Sequence, residues 1–324
     1  MESKPLNRSL GAARATKQDE FYTQITDIEK ELKHYTKHFK GKTVLCNCDD
    51  PRVSHFFKYF LNNFEKLKLK KLITTCYKNQ QPDLFSKHEA KRGIYFEYSG
   101  EQKDKRLPDP TKIKPRELKE NGDFRSKECV ELLKQADIVV TNPPFSLFRE
   151  YVSQLVESGK KFLIIGNHNA LTYKETFGLI KDNKVWLGYS HPVAFVVPDS
   201  YEMRDTRSWR DEAGTNWRSL GNACWFTNLD IAKRHEQLVL YKRFDPSSYP
   251  TYDGYNVIEV SRYADIPEDF DGVMGVPITF LEKHNPEQFE VLGVANSARW
   301  IGQKCLTILN GKRIYNRILI RKIK

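Results

Sequence analysis

The chain has 324 residues and a formal net charge of +11, with 39% hydrophobic and 29% charged residues. This length and composition predict a folded chain of one large domain, or of a core domain with a smaller lobe. The positive charge favours a polyanionic partner, and nucleic acid ranks ahead of an anionic membrane because the charge is not gathered on one amphipathic helix. No apolar run reaches membrane-spanning length and no signal-peptide core begins the chain, so we expect a cytoplasmic protein that does not bind membranes.

Neither the six cysteines nor the eight histidines form a set with the spacing of metal ligands. Several cysteines lie inside apolar runs, which is typical of buried, reduced thiols in the cytosol. We therefore expect no metal site.

The start of the chain combines a polar arm with helices. Residues 1–18 are basic and polar, which predicts a flexible arm, and Arg14 and Lys17 are candidate contacts to DNA phosphates. A disordered tail without that role is the alternative. A helix is expected over residues 19–39, and apolar residues at helical spacing in residues 53–64 predict a second one.

Apolar runs predict a series of strands in the following part of the chain, at residues 43–47, 71–77, 93–98, 137–141 and 161–167. Helical patterns alternate with these strands, one of them capped by Ser126. This order predicts an α/β fold with a mostly parallel sheet and helices on both faces. Ligands bind such sheets at the carboxyl ends of the strands.

The pattern becomes less regular and richer in aromatic residues after residue 185, which favours a recognition elaboration. Three later strands are expected in the segments KVWLGYS, VAFVVP and ACWFTN. The C-terminal segment GKRIYNRILIRKIK alternates basic and apolar residues. This alternation predicts an edge strand with a basic outer face.

A motif that suggests chemistry follows the strand at residues 137–141 and consists of Asn142, Pro143, Pro144 and Phe145. Both prolines lack an N–H group and have fixed φ angles, and the residue before a proline is held extended. The motif is therefore a stiff loop that presents one side-chain amide, backbone carbonyl groups and a phenyl ring. A turn with an aromatic plug is the alternative interpretation.

A planar group that carries an NH₂ fits this loop. Asn142 Oδ1 and the Pro143 carbonyl oxygen can accept its two hydrogens, and the Phe145 ring can stack on its face. Two acceptors in a dry pocket favour the pyramidal, nucleophilic form of an exocyclic amine and stabilise the positive charge that develops on it. A methyl sulfonium held in line with the amine would then transfer its methyl group to the nitrogen, with proximity lowering the barrier.

Several segments closely resemble the EcoRI-type DNA adenine-N6 methyltransferases: DEFYTQ, CNCDDPRVSHFFKYF, GDFRS, DIVVTNPPFSLFREY, KKFLIIGN, WLG and GVMGVPITFLEKHNPEQFE. The resemblance covers nearly the whole chain, and CNCDDPRVS together with NPPFSLFREY is far more specific than NPPF alone. It implies a Rossmann-like sheet that binds S-adenosylmethionine (SAM), and base flipping of an adenine in double-stranded DNA. It also implies a monomer and an AATT-centred recognition site such as GAATTC.

The resemblance further implies roles for two cofactor segments. Phe21, Tyr22 and Thr23 correspond to the N-terminal segment that packs against SAM. Asp123 corresponds to the acceptor for the adenine amine of SAM, and Phe124 flanks the same ring.

The loop after the first strand, where the methionine part of SAM binds in the family, is occupied by Asn47, Asp49 and Asp50. A carboxylate there can pair with the ammonium group of the cofactor. The glycine-rich first loop of other methyltransferases is absent, as in the EcoRI type. The second strand lacks the usual terminal acid, so either Tyr77 and Asn79 bind the ribose, or Asp49 or Asp50 does.

On the substrate side, the resemblance assigns Asn142, Pro143 and Phe145 to the target adenine, with Asn142 also bordering the cofactor. An aromatic side chain from a later strand should stack on the flipped base, and Phe195 is the candidate.

An arginine- and tryptophan-rich stretch at residues 201–222 contains candidate DNA contacts at Arg204, Arg207, Trp209, Arg210, Trp217 and Arg218. Arginine reads guanine edges or binds phosphates, and an aromatic ring can insert between bases. A solvated loop with both tryptophans docked on the core is the alternative.

We therefore predict an arm at residues 1–18, a SAM-binding and catalytic core at 19–184, and remaining core strands with DNA-recognition elements at 185–324. The expected function is site-specific methylation of adenine N6 in DNA. An RNA base methyltransferase and a nucleic-acid-binding protein without catalysis are the alternatives. A cognate restriction endonuclease, or an orphan or phage role, stays open.

Overall fold

The computed structural model of the protein describes residues 21–48, 54–77, 92–100, 113–197, 199, 201–203, 206–295 and 305–323. The predicted arm at residues 1–18 lies outside these ranges. So do five predicted site residues, namely Arg14, Lys17, Asp49, Asp50 and Arg204, and the alternative ribose ligand Asn79.

The chain forms two compact units that alternate along the sequence. The first comprises Met1–His168 and Ser190–Leu229, and the second comprises Asn169–Tyr189 and Asp230–Lys324. The functional division at residues 18 and 184 remains a prediction.

The described helices are α1 Ile25–Leu32, α2 Thr36–Phe39, α3 His55–Asn62, α4 Phe64–Leu67, α5 Lys127–Gln135, α6 Phe148–Glu157 and α7 Lys174–Lys181. Short 3-10 helices lie at Phe145–Leu147, His168–Thr172, Ala232–His235, Tyr263–Asp265 and Ile278–Glu282. None of the described helices is long and apolar enough to cross a membrane.

The described strands in the first two thirds of the chain are β1 Tyr22–Thr23, β2 Thr43–Asn47, β3 Lys71–Cys76, β4 Ile94–Tyr98, β5 Arg116–Glu117, β6 Ile138–Thr141, β7 Lys161–Asn167, β8 Trp186–Leu187, β9 Ala194–Val196, β10 Ser208–Arg210 and β11 Asn216–Ser219. The later strands are β12 Ala223–Thr227, β13 Val257–Glu259, β14 Val273–Val276, β15 Phe289–Ala295, β16 Ile308–Leu309, β17 Lys312–Arg313 and β18 Arg317–Lys322.

The main sheet of the first unit has a parallel centre with antiparallel flanks. Its central strands follow the order β3-β2-β6-β7 and pair in parallel. On one side β4 and β5 continue the sheet antiparallel, and on the other side β12 pairs antiparallel with β7. The α/β class is as predicted, but the sheet is mixed rather than mostly parallel, because β4 and β12 run back alongside their neighbours.

The central strands lie where the apolar runs predicted them. All residues of β2 and of β6 are buried, as expected for parallel strands covered on both faces. The carboxyl ends of β2, β3 and β6 share one edge of the sheet, since parallel strands point the same way. This edge positions the segments that follow Asn47, Cys76 and Thr141.

The predicted helix over residues 19–39 is wrong at its start and in its continuity. Residues 22–23 form β1, which pairs with β9, and α1 begins only at Ile25. Pairing with a strand far along the chain overrides the local helical pattern here. The predicted cap of α5 is confirmed, because Ser126 Oγ accepts from Cys129 N at 3.3 Å.

The first unit contains a second, antiparallel sheet in the order β1-β9-β11-β10. It joins the N-terminal segment to the late strand that contains Phe195 and to the arginine- and tryptophan-rich stretch, whose strands β10 and β11 form a hairpin. These segments are far apart in sequence, and the sheet places them side by side.

The second unit has a sheet in the order β13-β14-β18-β15 and a separate β16–β17 hairpin. The C-terminal strand β18 pairs with both β14 and β15, so the predicted edge position is wrong. Ile318, Leu319 and Ile320 are consecutive and all buried. Burial on both faces is the property of an interior strand and outweighs the basic residues that flank it.

Candidate active site

The side chain of Asn142 follows β6 and is fixed by the segment around β1. Asn142 Nδ2 donates to the Phe21 carbonyl oxygen at 2.6 Å and to Thr23 Oγ1 at 3.3 Å. The Asn142 residue is only 6% exposed. Because the donor end of the amide is bound in this way, the orientation of its acceptor end is fixed as well.

The acceptor end, Asn142 Oδ1, is buried and has no hydrogen-bond partner within the described part of the chain. A buried polar atom without a partner costs about 1–3 kcal/mol. Folds tolerate such a cost mainly where a ligand or water supplies the missing bond. The Asn-Pro-Pro-Phe motif predicts that this atom accepts from the amine of the target base.

The two prolines and Phe145 connect Asn142 to the next helix. Pro143 is buried, and the Pro144 carbonyl oxygen accepts from Leu147 N at 2.9 Å. Phe145 opens the 3-10 turn that leads into α6. Its half-buried ring lies 5.4 Å from the ring of Phe21, centroid to centroid, so the amide and the phenyl ring of the motif both meet the N-terminal segment.

Phe21 is the centre of an aromatic cluster beside Asn142. Besides Phe145, the ring of Phe195 lies 5.9 Å away and that of Tyr201 6.1 Å away. Phe195 is fully buried, so the structure offers no open face of its ring to a base, and its stacking role stays a prediction. Tyr201 is half-exposed, and no motif in the sequence pointed to it.

Tyr151 on α6 links two predicted cofactor segments and was missed by the sequence analysis. Its hydroxyl donates to Asn47 Oδ1, and its ring meets Phe124 edge-on at 5.0 Å between centroids. Burial raises the pKa of Tyr151 well above the usual range, so the hydroxyl keeps its proton. Its place on the buried face of a helix directly after the motif was the available signal.

Asp123 and Phe124 are both contacted by Arg125. The Asp123 carboxylate accepts from Arg125 Nη2 at 2.6 Å and from Nε at 2.8 Å. The same guanidinium reaches Glu150 at 3.2 Å and lies 5.2 Å from the centroid of the Phe124 ring. Asp123 keeps acceptor capacity beyond these bonds because a carboxylate has about four lone-pair sites, but a ligand amine would share it with Arg125.

The backbone at the carboxyl edge adopts conformations that favour glycine. Cys48, directly after β2, has φ +81° although it carries a side chain, and such outliers cluster at ligand sites. Gly122, before Asp123, has φ +79° and packs so closely that a Cβ there would lie 2.2 Å from the Cys76 carbonyl oxygen. This contact presses the Asp123–Phe124 segment against the end of β3.

Tyr151→Phe tests the link between the two cofactor segments. Removing the hydroxyl leaves Asn47 Oδ1 buried without its donor and keeps the ring contact with Phe124. At about 1–3 kcal/mol for such a loss, we expect SAM to bind roughly tenfold more weakly, as measured by calorimetric titration.

Tyr35→Phe is the matched control, because Tyr35 is equally buried and its hydroxyl donates to Glu31 at 2.8 Å. We expect it to lower the melting temperature without weakening SAM binding. Equal weakening by both variants would contradict a specific role for Tyr151.

The other predicted site residues spread over the surface of the first unit. Tyr77, 45% exposed, follows β3 at the carboxyl edge, and Tyr22 lies in β1. In the hairpin, Arg207, Trp209 and Arg210 are exposed, and Trp217 and Arg218 are half-buried.

The described residues contain no group of three or more His, Cys, Asp or Glu side chains that could hold a metal ion. The six cysteines form no disulfide, and all but Cys48 are buried.

The mixed α/β sheet, with an Asn-Pro-Pro-Phe loop at the carboxyl end of a central strand, is consistent with a methyltransferase fold. The chain matches the family model "adenine-specific methyltransferase EcoRI" over residues 9–323. It therefore belongs to this family, and it is an adenine-specific DNA methyltransferase, as the motifs predicted.

Curated relatives support the family over almost the whole chain. The chain is 50% identical to the type II methyltransferase M.EcoRI of Escherichia coli over 320 residues, which are 97% of this chain and 96% of the relative. It is 37% identical to M.MgeORF184P of Mycoplasma genitalium over 96% of this chain and 97% of the relative. It is also 37% identical to M.MpnI of Mycoplasma pneumoniae, over 86% and 83%. No solved structure matches the chain.

Proposed function

We propose that the protein transfers a methyl group from SAM to N6 of an adenine flipped out of double-stranded DNA. The observation that carries this proposal is the buried Oδ1 of Asn142, whose amide is oriented by Phe21 and Thr23. This acceptor has a fixed orientation and no hydrogen-bond donor among the described residues. It therefore suits the NH₂ group of a base.

Asn142 Oδ1 and the Pro143 carbonyl oxygen would each accept one hydrogen of the adenine amine. Holding both hydrogens draws the nitrogen lone pair out of the ring and directs it at the methyl donor. The same two oxygens stabilise the positive charge that forms on the nitrogen as the bond between the methyl group and the sulfonium breaks. The nitrogen becomes neutral again when it releases one of its two protons to water. The half-buried ring of Phe145, at the end of the loop, would cover one face of the base.

The residues at the carboxyl edge of the main sheet fit SAM. Asp123 would accept from the adenine amine of SAM, Phe124 would offer an apolar surface to the same ring, and Asn47 would hold the methionine part. When bound, SAM supplies the electrophilic methyl group. The strained backbone at Cys48 supports close approach of a ligand to the end of β2. Tyr77 is the described candidate for the ribose.

The N-terminal segment would couple the two substrates. Its Phe21 carbonyl oxygen and Thr23 hydroxyl orient Asn142, and the family resemblance places the same residues against SAM. A shift of this segment would therefore disturb both sites together. This arrangement supports the role assigned to Phe21, Tyr22 and Thr23, including the side chain of Tyr22 that the sheet leaves half-exposed.

The proposed substrate is double-stranded DNA, in keeping with the net charge of +11 and with the basic hairpin of β10 and β11. Flipping a base costs a few kcal/mol, which contacts to the sugar–phosphate backbone must offset. The proposed site is AATT-centred, with GAATTC the first sequence to test. We further propose a monomer that acts in the cytoplasm, with a restriction endonuclease as candidate partner.

The test is tritiated methyl transfer from SAM to a duplex that contains GAATTC. A duplex with one base pair of that site changed and ribosomal RNA serve as parallel substrates. We expect N6-methyladenine in the GAATTC duplex alone, and protection of that duplex from cleavage at GAATTC. Label on the altered duplex would overturn the proposed site, and label on RNA alone would favour the RNA alternative.

A further inference from the structure

The antiparallel sheet of the first unit places Arg218 on the same face as Thr23, whose hydroxyl accepts from Asn142. Thr23 is paired with Phe195, Phe195 with Arg218, and Arg218 with Ser208. Directly paired residues of neighbouring strands project from the same face of a sheet. Thr23 contacts Asn142 through its hydroxyl, so the face that carries Arg218 is the face of the candidate active site.

The two tryptophans of the hairpin lie on the opposite face. Tyr22 is paired with Val196, Val196 with Trp217, and Trp217 with Trp209. The tryptophan rings are nearly parallel, at 7° and 6.1 Å between centroids, and Trp217 Nε1 donates to Asp211 Oδ2 at 2.8 Å. The hairpin therefore places its two tryptophans and Arg218 on opposite faces of the sheet.

The side chain of Arg218 is held in place. Its Nη1 donates to Ser208 Oγ at 2.9 Å, and the residue is half-buried. Strands in a sheet are about 4.8 Å apart, so two strand spacings, roughly 10 Å, separate Arg218 from Thr23. This separation is comparable to the distance between the amine of an adenine and a phosphate of the same nucleotide.

We propose that Arg218 binds a phosphate that flanks the flipped adenine. This inference rests on the proposed function, because it requires a base held at Asn142. A planar guanidinium binds phosphate with two parallel hydrogen bonds, which fixes orientation as well as charge. The contact forms only after the nucleotide leaves the duplex, so Arg218 stabilises the flipped state rather than the first encounter with DNA.

Arg210 provides the matched control. It lies two residues from Ser208, on the same face of β10, but at the turn end of the hairpin, and its Nε donates to the Gly214 carbonyl oxygen at 2.8 Å. Arg210→Ala removes the same charge from the same hairpin without removing the group next to Phe195. Ser208→Ala tests the hydrogen bond alone, because it removes the Ser208 hydroxyl that accepts from Arg218 Nη1 and keeps the charge of Arg218.

The experiment compares wild type, Arg218→Ala, Arg218→Lys and Arg210→Ala on duplexes in which one phosphate beside the target adenine is replaced by an uncharged methylphosphonate. Single-turnover methylation is measured on duplexes with adenine at the target position. Base flipping is followed by fluorescence on matching duplexes with 2-aminopurine there, since 2-aminopurine has no 6-amino group to methylate. For wild type we expect a loss of about 10- to 100-fold at one of the two flanking positions, the range for a hydrogen bond to a charged group.

Arg218→Ala should show the same loss on unmodified DNA, a weaker 2-aminopurine signal, and no further loss at that methylphosphonate, because the two changes remove one contact. Arg218→Lys should recover part of the rate. Arg210→Ala should keep the full sensitivity to the methylphosphonate. The melting temperature of each variant, including Ser208→Ala, is measured as well. This measurement separates loss of folding from loss of the contact between Arg218 and the phosphate.

Additive losses for Arg218→Ala and the methylphosphonate at both positions, with wild type active on unmodified DNA, would overturn this inference and leave the proposed function intact. Failure of wild type to methylate adenine in the unmodified duplex would overturn both.

Discussion

Replacing Asn142 with alanine is expected to lower the single-turnover rate of adenine methylation by about 100- to 1000-fold, the range seen when one preorganised polar group is removed from a reacting centre. The variant loses the acceptor Oδ1 and also the donor that ties the loop to Phe21 and Thr23. SAM binding, measured by calorimetric titration, should change far less than the rate.

Asn142→Asp separates the two functions of the amide. A carboxylate keeps an acceptor for the target amine but places a negative oxygen where Nδ2 donates to the Phe21 carbonyl oxygen at 2.6 Å. We therefore expect a rate between those of the alanine variant and the wild type, because the acceptor remains and its orientation is lost.

Asn228→Ala controls for the loss of a structural amide. Asn228 Oδ1 accepts from Phe162 N at 2.8 Å, and its Nδ2 donates to the Lys160 carbonyl oxygen at 2.8 Å. These bonds lie at the amino end of β7, the edge of the sheet away from the motif. The control should have a lower melting temperature than the wild type and should methylate at nearly the wild-type rate. An Asn142→Ala variant that methylates as fast as this control would exclude Asn142 from catalysis.

Gly122→Ala is expected to weaken SAM binding at least about 30-fold and to lower the methylation rate by a similar factor when SAM is below saturation. The new Cβ would lie 2.2 Å from the Cys76 carbonyl oxygen, and the residue has φ +79°. Overpacking costs about 1–3 kcal/mol, and a left-handed backbone adds about 1–2 kcal/mol for a residue with a side chain. The segment with Asp123 and Phe124 should therefore move away from the end of β3. SAM binding would have to bring it back into the steric clash with the Cys76 carbonyl oxygen, which weakens the affinity.

Gly159→Ala is the control for the backbone term. Gly159 has φ +64°, and a Cβ there meets nothing within 4 Å. It should cost about 1–2 kcal/mol in stability with unchanged SAM affinity. The comparison requires calorimetric titration with SAM and thermal melting of both variants. Equal SAM affinities in the two variants would show that the contact between Gly122 and Cys76 does not position the cofactor segment.

The sequence predicted the ends of the central strands of the main sheet to within one residue. Continuous apolar runs such as TVLCN can be buried only inside a sheet covered on both faces, and β2 and β6 are buried throughout. The sequence also identified the Asn-Pro-Pro-Phe loop and its place after a strand. Prolines restrict their own backbone, so the character of this loop is a local property.

The elements that the sequence misjudged depend on distant partners. Residues 22–23 were expected to be helical and instead pair with β9. The C-terminal strand was expected at an edge and instead lies between β14 and β15. Strand pairing is decided by which segments meet in space, and no local pattern encodes the partner.

Residue types and their short-range spacing were enough to identify the family, the chemistry of the motif and the buried strands. Tertiary contacts set which end of the Asn142 amide is available, because its partners Phe21 and Thr23 are 121 and 119 residues away. Tertiary contacts also join Asn47 to Phe124 through Tyr151, and strand pairing places Arg218 and the tryptophans on opposite faces of one sheet. Contacts of this kind form only when distant segments pack together, and the loop-closure entropy that they must overcome leaves no mark on local sequence.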